Sequence, residues 1–447
     1  MSSKIILTIT QGKLSGKQYT FASRTTCIVG RNDDCNLQIA DAVDMTISRY
    51  HCLLDINPPD IRVRDLGSLN GTFVNGKKIG QRQRELSAKE AVKLNFPEYN
   101  LQNGDEIKLG DILFKIEVEI KLELEKKLDI IPPLQKNKPN CLIIIKNLLE
   151  LAQKNEPKLQ ALSGYKLIES LGKGGFGEVF LAQHLHTKKL VAIKIMIPAV
   201  TINTQGVEMF LKATENIKLL KHDNIVQLFD YGFAEDAFFL IMEYFPGGNV
   251  WDLMQKSGWR LPVKTAVYIA VQVLEGLIYG HSLQIRPIQL DNEKLNHAKG
   301  LVHRDLKPNN ILITQTNDQL EVKIGDYGLS KAFDLAGLSG QTLTGTKTGT
   351  PAFMPRQQVL DFKHELPAID VWATAACLYN LLTGYFTRDF TGDPWLSVLQ
   401  NKPVPILQRN NSIPKKLAHV IDLALQEKPE IHFQTAVQFK QALLDAI

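Results

Sequence analysis

The stretch KLELEKKLDIIPPLQKNKPN, residues 121–140, constrains this chain more than any other. Its paired and isolated prolines remove amide donors and fix φ, so no continuous helix can run through it. It separates two halves with different periodicities. From Ile5 to about Ile120, short β-type runs such as ILTIT, CIVG, HCLLDI, IRVRDL, DEIKLG and FKIEVEI alternate with turn signals, the spacing of a sandwich or barrel. Beyond Tyr165 strands come first and long helical patterns follow, as in PVKTAVYIAVQVLEGLIYGHS at 262–282, which predicts a strand-rich lobe ahead of a helical one. Residues 1–120 and 165–447 are expected as separate domains, with 121–164 a linker containing a short helix at 141–154.

At 447 residues the chain has room for two or three cores. A hydrophobic fraction of 44% with 22% charged residues excludes a chain dominated by disorder. The net charge of +5 is mild and its lysines and arginines are scattered, so neither nucleic acid nor a membrane is expected as a partner. Five cysteines, odd in number and forming no CxxC pair, read as reduced thiols of a cytoplasmic protein. The start, MSSKIILTIT, lacks the apolar core of a signal peptide, and CLIII at 141–145 is too short to span a bilayer.

The C-terminal half opens with LGKGGFGEV at 171–179, where glycines let a hairpin backbone lie close over phosphates. Alone, such a run is as readily a tight turn. VAIK follows and puts Lys194 on a strand; alone, that is a solvated lysine. LVHRDLKPNNILI at 301–313 and VKIGDYGLS at 322–330 change both readings, because with them the half closely resembles the protein kinase superfamily over residues 165–447. The resemblance implies a bilobal α+β fold and an ATP-dependent enzyme of the serine/threonine type. Asp305 matches the aspartate that accepts the hydroxyl proton, Lys307 the lysine that steadies the γ-phosphate, and Lys194 the lysine on the α- and β-phosphates. Asn310 and Asp326 match the residues that hold magnesium, or manganese in its place. Leu171, Gly172, Gly174, Gly177, Val179, Ala192 and Leu312 match the nucleotide-enclosing positions. Met242 matches the gatekeeper, and the backbones of Glu243 and Phe245 the adenine contacts. His303 reads as structural.

Two departures stand beside these matches. The family's helix-borne glutamate, partner of the strand lysine, lies nine residues before the histidine of an H-x-N-I-V segment; from His222 that count falls on Ala213. A register slip would bring Glu215 there instead. It would also put His222 at a buried spot, whereas the Ala213 register puts Ile217 and Leu220 at the buried positions. Glu215 is then about 200° around the helix, with Glu208 on the same far side. The expected partner of Lys194 is another acid, Asp326 being the nearest in kind. The second departure is GTPAFMPRQQV at 349–359, which resembles the end of an activation segment but has Arg356 and Gln357 in place of proline and glutamate, while His432 stands where that glutamate's arginine is expected. Replacing both halves of a buried pair can be nearly neutral. Asp370 matches the family's helix-start aspartate. Arg304 matches an arginine that clamps a phosphorylated activation-segment residue, for which Ser339, Thr342, Thr344, Thr346 and Thr348 are the candidates; Thr350 is expected to orient Asp305 and Lys307. The long connection 283–300 has no functional account.

In the N-terminal half VGRNDDCNLQI, ISRYHCLL and DLGSLNGTFVNGKKI succeed one another. Gly-Arg, Ser-x-x-His and Asn-Gly in this order resemble the forkhead-associated (FHA) domain, an all-β sandwich whose loops read phosphothreonine, over residues 5–117. A phosphate dianion needs charge-assisted donors, which Arg31, Ser48 and Arg49 can supply; Asn70 can hold the peptide backbone. His51 is expected to brace the Ser48 loop, and Asn75-Gly76 to be a hairpin turn. The insertion at 80–100 lengthens a later connection. The two halves together describe a bacterial-like signalling kinase tethered to a reader, which recruits phosphothreonine proteins or its own phosphorylated form in another copy. The competing reading is a catalytically weak or inactive adaptor, favoured by Ala213, Arg356 and Gln357 and opposed by Asp305, Asn310 and Asp326.

Overall fold

The computed structural model describes residues 3–22, 25–40, 43–83, 85–86, 96–120, 140–154, 156–174, 177–198, 204–284, 300–316, 319–335, 350–360, 366–390, 393–427 and 429–447. The N-terminal half contains β1 (Ser3–Gln11), β2 (Gln18–Phe21), β3 (Thr25–Gly30), β4 (Leu37–Gln38), β5 (Cys52–Asn57), β6 (Asp60–Asp65), β7 (Thr72–Val74), β8 (Lys77–Gly80), β9 (Tyr99–Leu101), β10 (Glu106–Leu109) and β11 (Ile112–Ile120). They form two sheets, ordered β2-β1-β11-β10-β7-β8 and β4-β3-β5-β6-β9. Alternation along each strand sends Ile5, Leu7, Cys27, Val29, Leu54 and Phe114 between the sheets. The Asn75-Gly76 turn joins β7 to β8 with both residues at positive φ, as a tight hairpin demands.

Residues 140–162, expected within a linker, belong to a lobe's core. Helix α1 (Cys141–Gln153) is capped by Asn140, whose side chain accepts from the Leu142 amide. Its buried stripe, Ile145, Leu148, Leu149 and Ala152, together with the 3-10 turn Pro157–Leu162, covers a five-stranded sheet. That sheet is built from β12 (Tyr165–Gly174), β13 (Gly177–His184), β14 (Leu190–Met196), β15 (Leu228–Ala234) and β16 (Ala237–Glu243) in the order β12-β13-β14-β16-β15. Helix α2 (Thr204–Lys218) packs on this small lobe.

The large lobe holds α3 (Val250–Lys256), α4 (Val263–Ser282), the hairpin β17 (Ile311–Thr316) and β18 (Gln319–Ile324), α5 (Leu329–Leu335), α6 (Arg356–Leu360), α7 (Ala368–Thr383), α8 (Pro394–Gln400), α9 (Ile406–Arg409), α10 (Lys415–Ala424) and α11 (Ala436–Asp445). Every residue of α7 is buried, which makes it the axis of the lobe. Among the described residues α4 alone is long and apolar enough to cross a membrane by length and composition, and its Ile269, Val273, Leu274 and Leu277 lie in the lobe's core. All five cysteines are free.

Candidate functional site

Lys194 lies in the middle of β14, opposite Val179 on β13 and Leu240 on β16, and is buried. Its ammonium cannot stay there without a counter-charge. Nζ finds one 2.6 Å away in Asp326 Oδ2. Burial by itself would raise the Asp326 carboxyl, but the charge and hydrogen bond of Lys194, helped by His303 and Lys307, hold it below its ordinary range. Asp326 takes a positive φ, which turns its carboxylate out of the line of β18 toward the small lobe.

The acid that α2 does not supply is explained by what covers its face. Phe210, Ala213 and Ile217 recur at helical spacing and sit in the core with Leu329, Ala332 and Phe333 of α5. The rings of Phe210 and Phe333 are 5.4 Å apart. Ala213 is buried there, whereas Glu215 and Glu208 are exposed and Glu208 faces Lys212. The apolar packing of α5 leaves no place for a carboxylate at 213.

The catalytic-loop region is fastened from several sides. The amides of His303 and Arg304 donate to the two Asp370 oxygens at 2.7 and 2.9 Å, and His281 Nε2 lies 2.9 Å from Asp370 Oδ2. Burial would raise the Asp370 carboxyl, yet these partners lower it. His303 donates from Nε2 to the Gly325 carbonyl and accepts the Asp305 amide at Nδ1. Lys307 Nζ is 2.8 Å from Asp305 Oδ2, and Asn310 Nδ2 donates to the Asp305 carbonyl at 2.8 Å. Asp305 Oδ1 is buried and has no hydrogen-bond partner among the described residues. Over the cleft, Gly177 pairs with Gly174 at the open end of β12 and β13; a Cβ on Gly177, at φ +144°, would meet the Ile195 carbonyl at 2.0 Å. Ala192 faces Met242 across the sheet, and Leu312 on β17 bridges to Asn249. Leu171 and Gly172 lie on β12; beyond the end of β16, the Phe245 ring lies 5.7 Å from Lys323 Nζ, which pairs with Glu243.

The segment after 350 departs from the sequence reading. His432 is exposed. A buried pair nevertheless exists with its charges exchanged: Arg388 binds Glu427, and Glu427 also accepts the Arg356 amide at 2.8 Å. Gln357 Nε2 donates to the Glu427 carbonyl at 2.6 Å, and Gln358 Nε2 to the Arg304 carbonyl at 2.7 Å. Sequence reasoning passed over Arg388, Glu427, Gln358 and Tyr327, whose hydroxyl donates to the Leu301 carbonyl at 3.0 Å. Ser339, Thr342, Thr344, Thr346 and Thr348, the Thr350 side chain, residues 84 and 87–95 of the connection 80–100, and residues 285–299 of the connection 283–300 lie outside the described residues.

In the sandwich, three loops are stitched together. The Arg31 and Asn32 amides donate to the Ser48 and Arg49 carbonyls, both at 3.1 Å. Gly30 is required there, because a Cβ would meet the Arg49 carbonyl at 2.2 Å. Ser48 Oγ accepts the Leu69 amide at 2.9 Å and keeps its own proton to donate; Asn70 Nδ2 donates to the Thr46 carbonyl at 2.7 Å. Buried His51 accepts the Ser48 amide at Nδ1 and donates from Nε2 to the Gly71 carbonyl, spanning two loops. Burial is the main influence on it and pulls its pKa below the ordinary value, against the charge of Asp65. Arg49 is exposed, and Arg31, Ser48 and Asn70 are half-buried beside it.

Both arrangements have counterparts among known proteins. The family model for the protein kinase domain matches residues 165–431, and that for the FHA domain residues 27–110. The chain belongs to the protein kinase family, with an FHA domain ahead of the kinase domain. It is 29% identical over 288 residues to serine/threonine-protein kinase PknB of Mycobacterium leprae, covering 63% of this chain and 42% of that protein. Tyrosine-protein kinase MasK of Myxococcus xanthus is 30% identical over 297 residues, covering 64% and 43%. The matched region is thus about two-fifths of the length of these curated relatives. Among solved structures, Rad53 1–466 in complex with AMP-PNP shares the fold with a TM-score of 0.50 at 20% identity, covering 99% of this chain and 100% of that one.

Proposed function

We propose that the chain is an ATP-dependent serine/threonine protein kinase whose FHA domain brings phosphothreonine-bearing proteins, or another phosphorylated copy of itself, to the kinase. The observation that carries the reading is the convergence of Lys194, Asp305, Lys307, Asn310 and Asp326 on one cleft, with Lys194 and Asp326 paired and Asp305 Oδ1 left as a buried acceptor. That acceptor suits the proton of a serine or threonine hydroxyl as its oxygen bonds the γ-phosphorus and ADP leaves. Lys307, on the other oxygen of Asp305, is placed to steady the transferred phosphate. Lys194 orients the other phosphates, and the glycine hairpin keeps water from them.

Among the described residues no group of three or more His, Cys, Asp or Glu forms a metal cage. One carboxylate and one amide oxygen, Asp326 and Asn310, suit magnesium, which takes its remaining oxygens from phosphate and water. When bound, the ion neutralises charge on the phosphates. The reader follows the same chemistry of charge-assisted donors, Arg31, Ser48 and Arg49 toward phosphate with Asn70 toward peptide backbone. The five free thiols suit a cytoplasmic enzyme.

Labelled ATP and magnesium, with a generic protein acceptor and phosphoamino-acid analysis, test the reading. Transfer to serine or threonine is expected, reduced at least about a hundredfold in Asp305→Asn. Equal transfer by both chains, or none by a well-folded chain, overturns it. For the reader, Arg31→Ala is expected to lower phosphorylation of a phosphothreonine-bearing protein while sparing a short generic peptide; equal loss on both counts against recruitment.

A further inference from the structure

An antiparallel sheet ordinarily leaves one face to water, but β3 and β5 of the FHA domain are buried on both. Cys27, Val29 and Leu54 point into the sandwich. The outward Ile28 and Leu53, with Leu66, are buried against Val359, Trp395 and Leu399 on α6 and α8 of the kinase. Polar ties surround this apolar contact. Arg64 Nη1 lies 2.9 Å from Asp393 Oδ2. The Asn36 side chain donates to the Leu360 carbonyl. The Arg356 guanidinium reaches the Asp34 carboxylate and the Tyr50 hydroxyl. The residue that departs from the family pattern is therefore the anchor of the FHA domain.

That anchor joins two loops of interest. Asp34 and Tyr50 stand in the loops that carry Arg31 and Arg49, and Asn32 Nδ2 donates to both, at 2.6 and 2.9 Å. On the kinase side, two residues along α6 from Arg356, Gln358 holds the carbonyl of Arg304, the residue before Asp305. One arginine, one intervening helical residue and one glutamine thus separate the reader loops from the catalytic loop. Their lengths bound the distance from Asp34 to Asp305 at roughly 30 Å, the span of about nine extended residues.

We propose that the docked FHA domain acts as a ruler, so that the kinase's preferred substrates are chains carrying a phosphothreonine within about ten residues of the serine or threonine to be phosphorylated. This rests on the kinase and reader assignments above and adds a spacing to them. A bound phosphothreonine raises the local concentration of the acceptor most when the intervening chain matches the span, and less, roughly as the −3/2 power, as it lengthens. Release of the dock hands the span to the connection between the domains and flattens that dependence.

The test uses peptides with one phosphothreonine and one acceptor serine about ten or about thirty residues apart, each beside its unphosphorylated counterpart. They are given to the full chain, to Leu53→Glu and Arg64→Glu as two independent ways to open the dock, and to Arg31→Ala. In the full chain, stimulation by phosphothreonine is expected to be about fivefold greater at the shorter spacing. In the two open-dock chains the ratio falls below about twofold, while calorimetry shows phosphothreonine-peptide affinity unchanged. An unaltered ratio in open-dock chains that still bind the peptide overturns the ruler and leaves the recruitment reading standing. Stimulation that persists in Arg31→Ala, or is absent from the full chain, overturns the recruitment reading itself and the ruler with it.

Discussion

Glu427→Ala removes the carboxylate shared by the Arg388 guanidinium and the Arg356 amide. Arg388 is 1% exposed, so its charge has no route to water. Its Nε still donates to the Asn401 carbonyl at 2.9 Å and its guanidinium still lies 4.9 Å from the Trp372 ring centre, but Nη1 already lacks a hydrogen bond among the described residues. The second buried guanidinium, Arg356, makes matters worse. Its pKa is lowered first by burial and then by the charge of Arg388, and Glu427 is what offsets them. Stranding one member of a buried ion pair costs about 3–5 kcal/mol. For a domain of this size that lowers the melting temperature on the order of 10 °C. Calorimetric unfolding of the full chain reads this directly. The companion double variant, Arg388→Met with Glu427→Leu, leaves neither charge of the pair behind and also removes the Arg388 charge that opposes Arg356, which keeps Asp34; it is expected to recover most of the loss. A fall under about 2 °C for Glu427→Ala, or a double variant as damaged as the single one, refutes the argument.

Other expectations follow from the same geometry. His51 is buried with its pKa below the ordinary 6.5. The folded state therefore binds its proton less readily than the unfolded chain. Its contribution to stability is complete above pH 6.5 and is lost as pH falls through 6.5 toward the folded value, so FHA unfolding followed against pH should weaken there. His51→Gln should flatten that slope; an unchanged slope assigns it to another group. Gly177→Ala forces a Cβ to within 2.0 Å of the Ile195 carbonyl and should weaken ATP binding at least about tenfold by calorimetry; parental affinity contradicts the close approach. Asp34→Ala leaves Arg356 buried without that carboxylate and should speed amide exchange across 356–360 on the order of a hundredfold, whereas unaltered exchange contradicts the anchoring role.

Much of this site could be read from the residues in order, because motif spacing follows the chain. Lys194, Asp305, Asn310 and Asp326, singled out from motifs far apart in the chain, line one cleft, and the helical pattern around Ala213 shows that its face is apolar. Other features could not be read this way. The Arg388 to Glu427 pair joins irregular segments 39 residues apart and reverses the expected polarity. Gln358 acts on a backbone carbonyl, which has no signature in sequence. The stripe of α1 declares that it needs a cover but not which sheet supplies it. One signal was present and passed over: CIVG and CLLD are apolar on both faces of their strands, which a sandwich with a solvated outer face does not need.

In the proposed reaction, transfer proceeds with Lys194 held by Asp326 and without an acid from α2. Labelled-ATP transfer measured side by side for the full chain, Lys194→Ala and Glu215→Ala tests it most directly. Glu215→Ala is expected within about twofold of the full chain while Lys194→Ala loses at least about a hundredfold, as removal of a charge that positions the phosphates implies. Equal and near-complete loss in both variants would place Glu215, not Asp326, on Lys194 in the working enzyme.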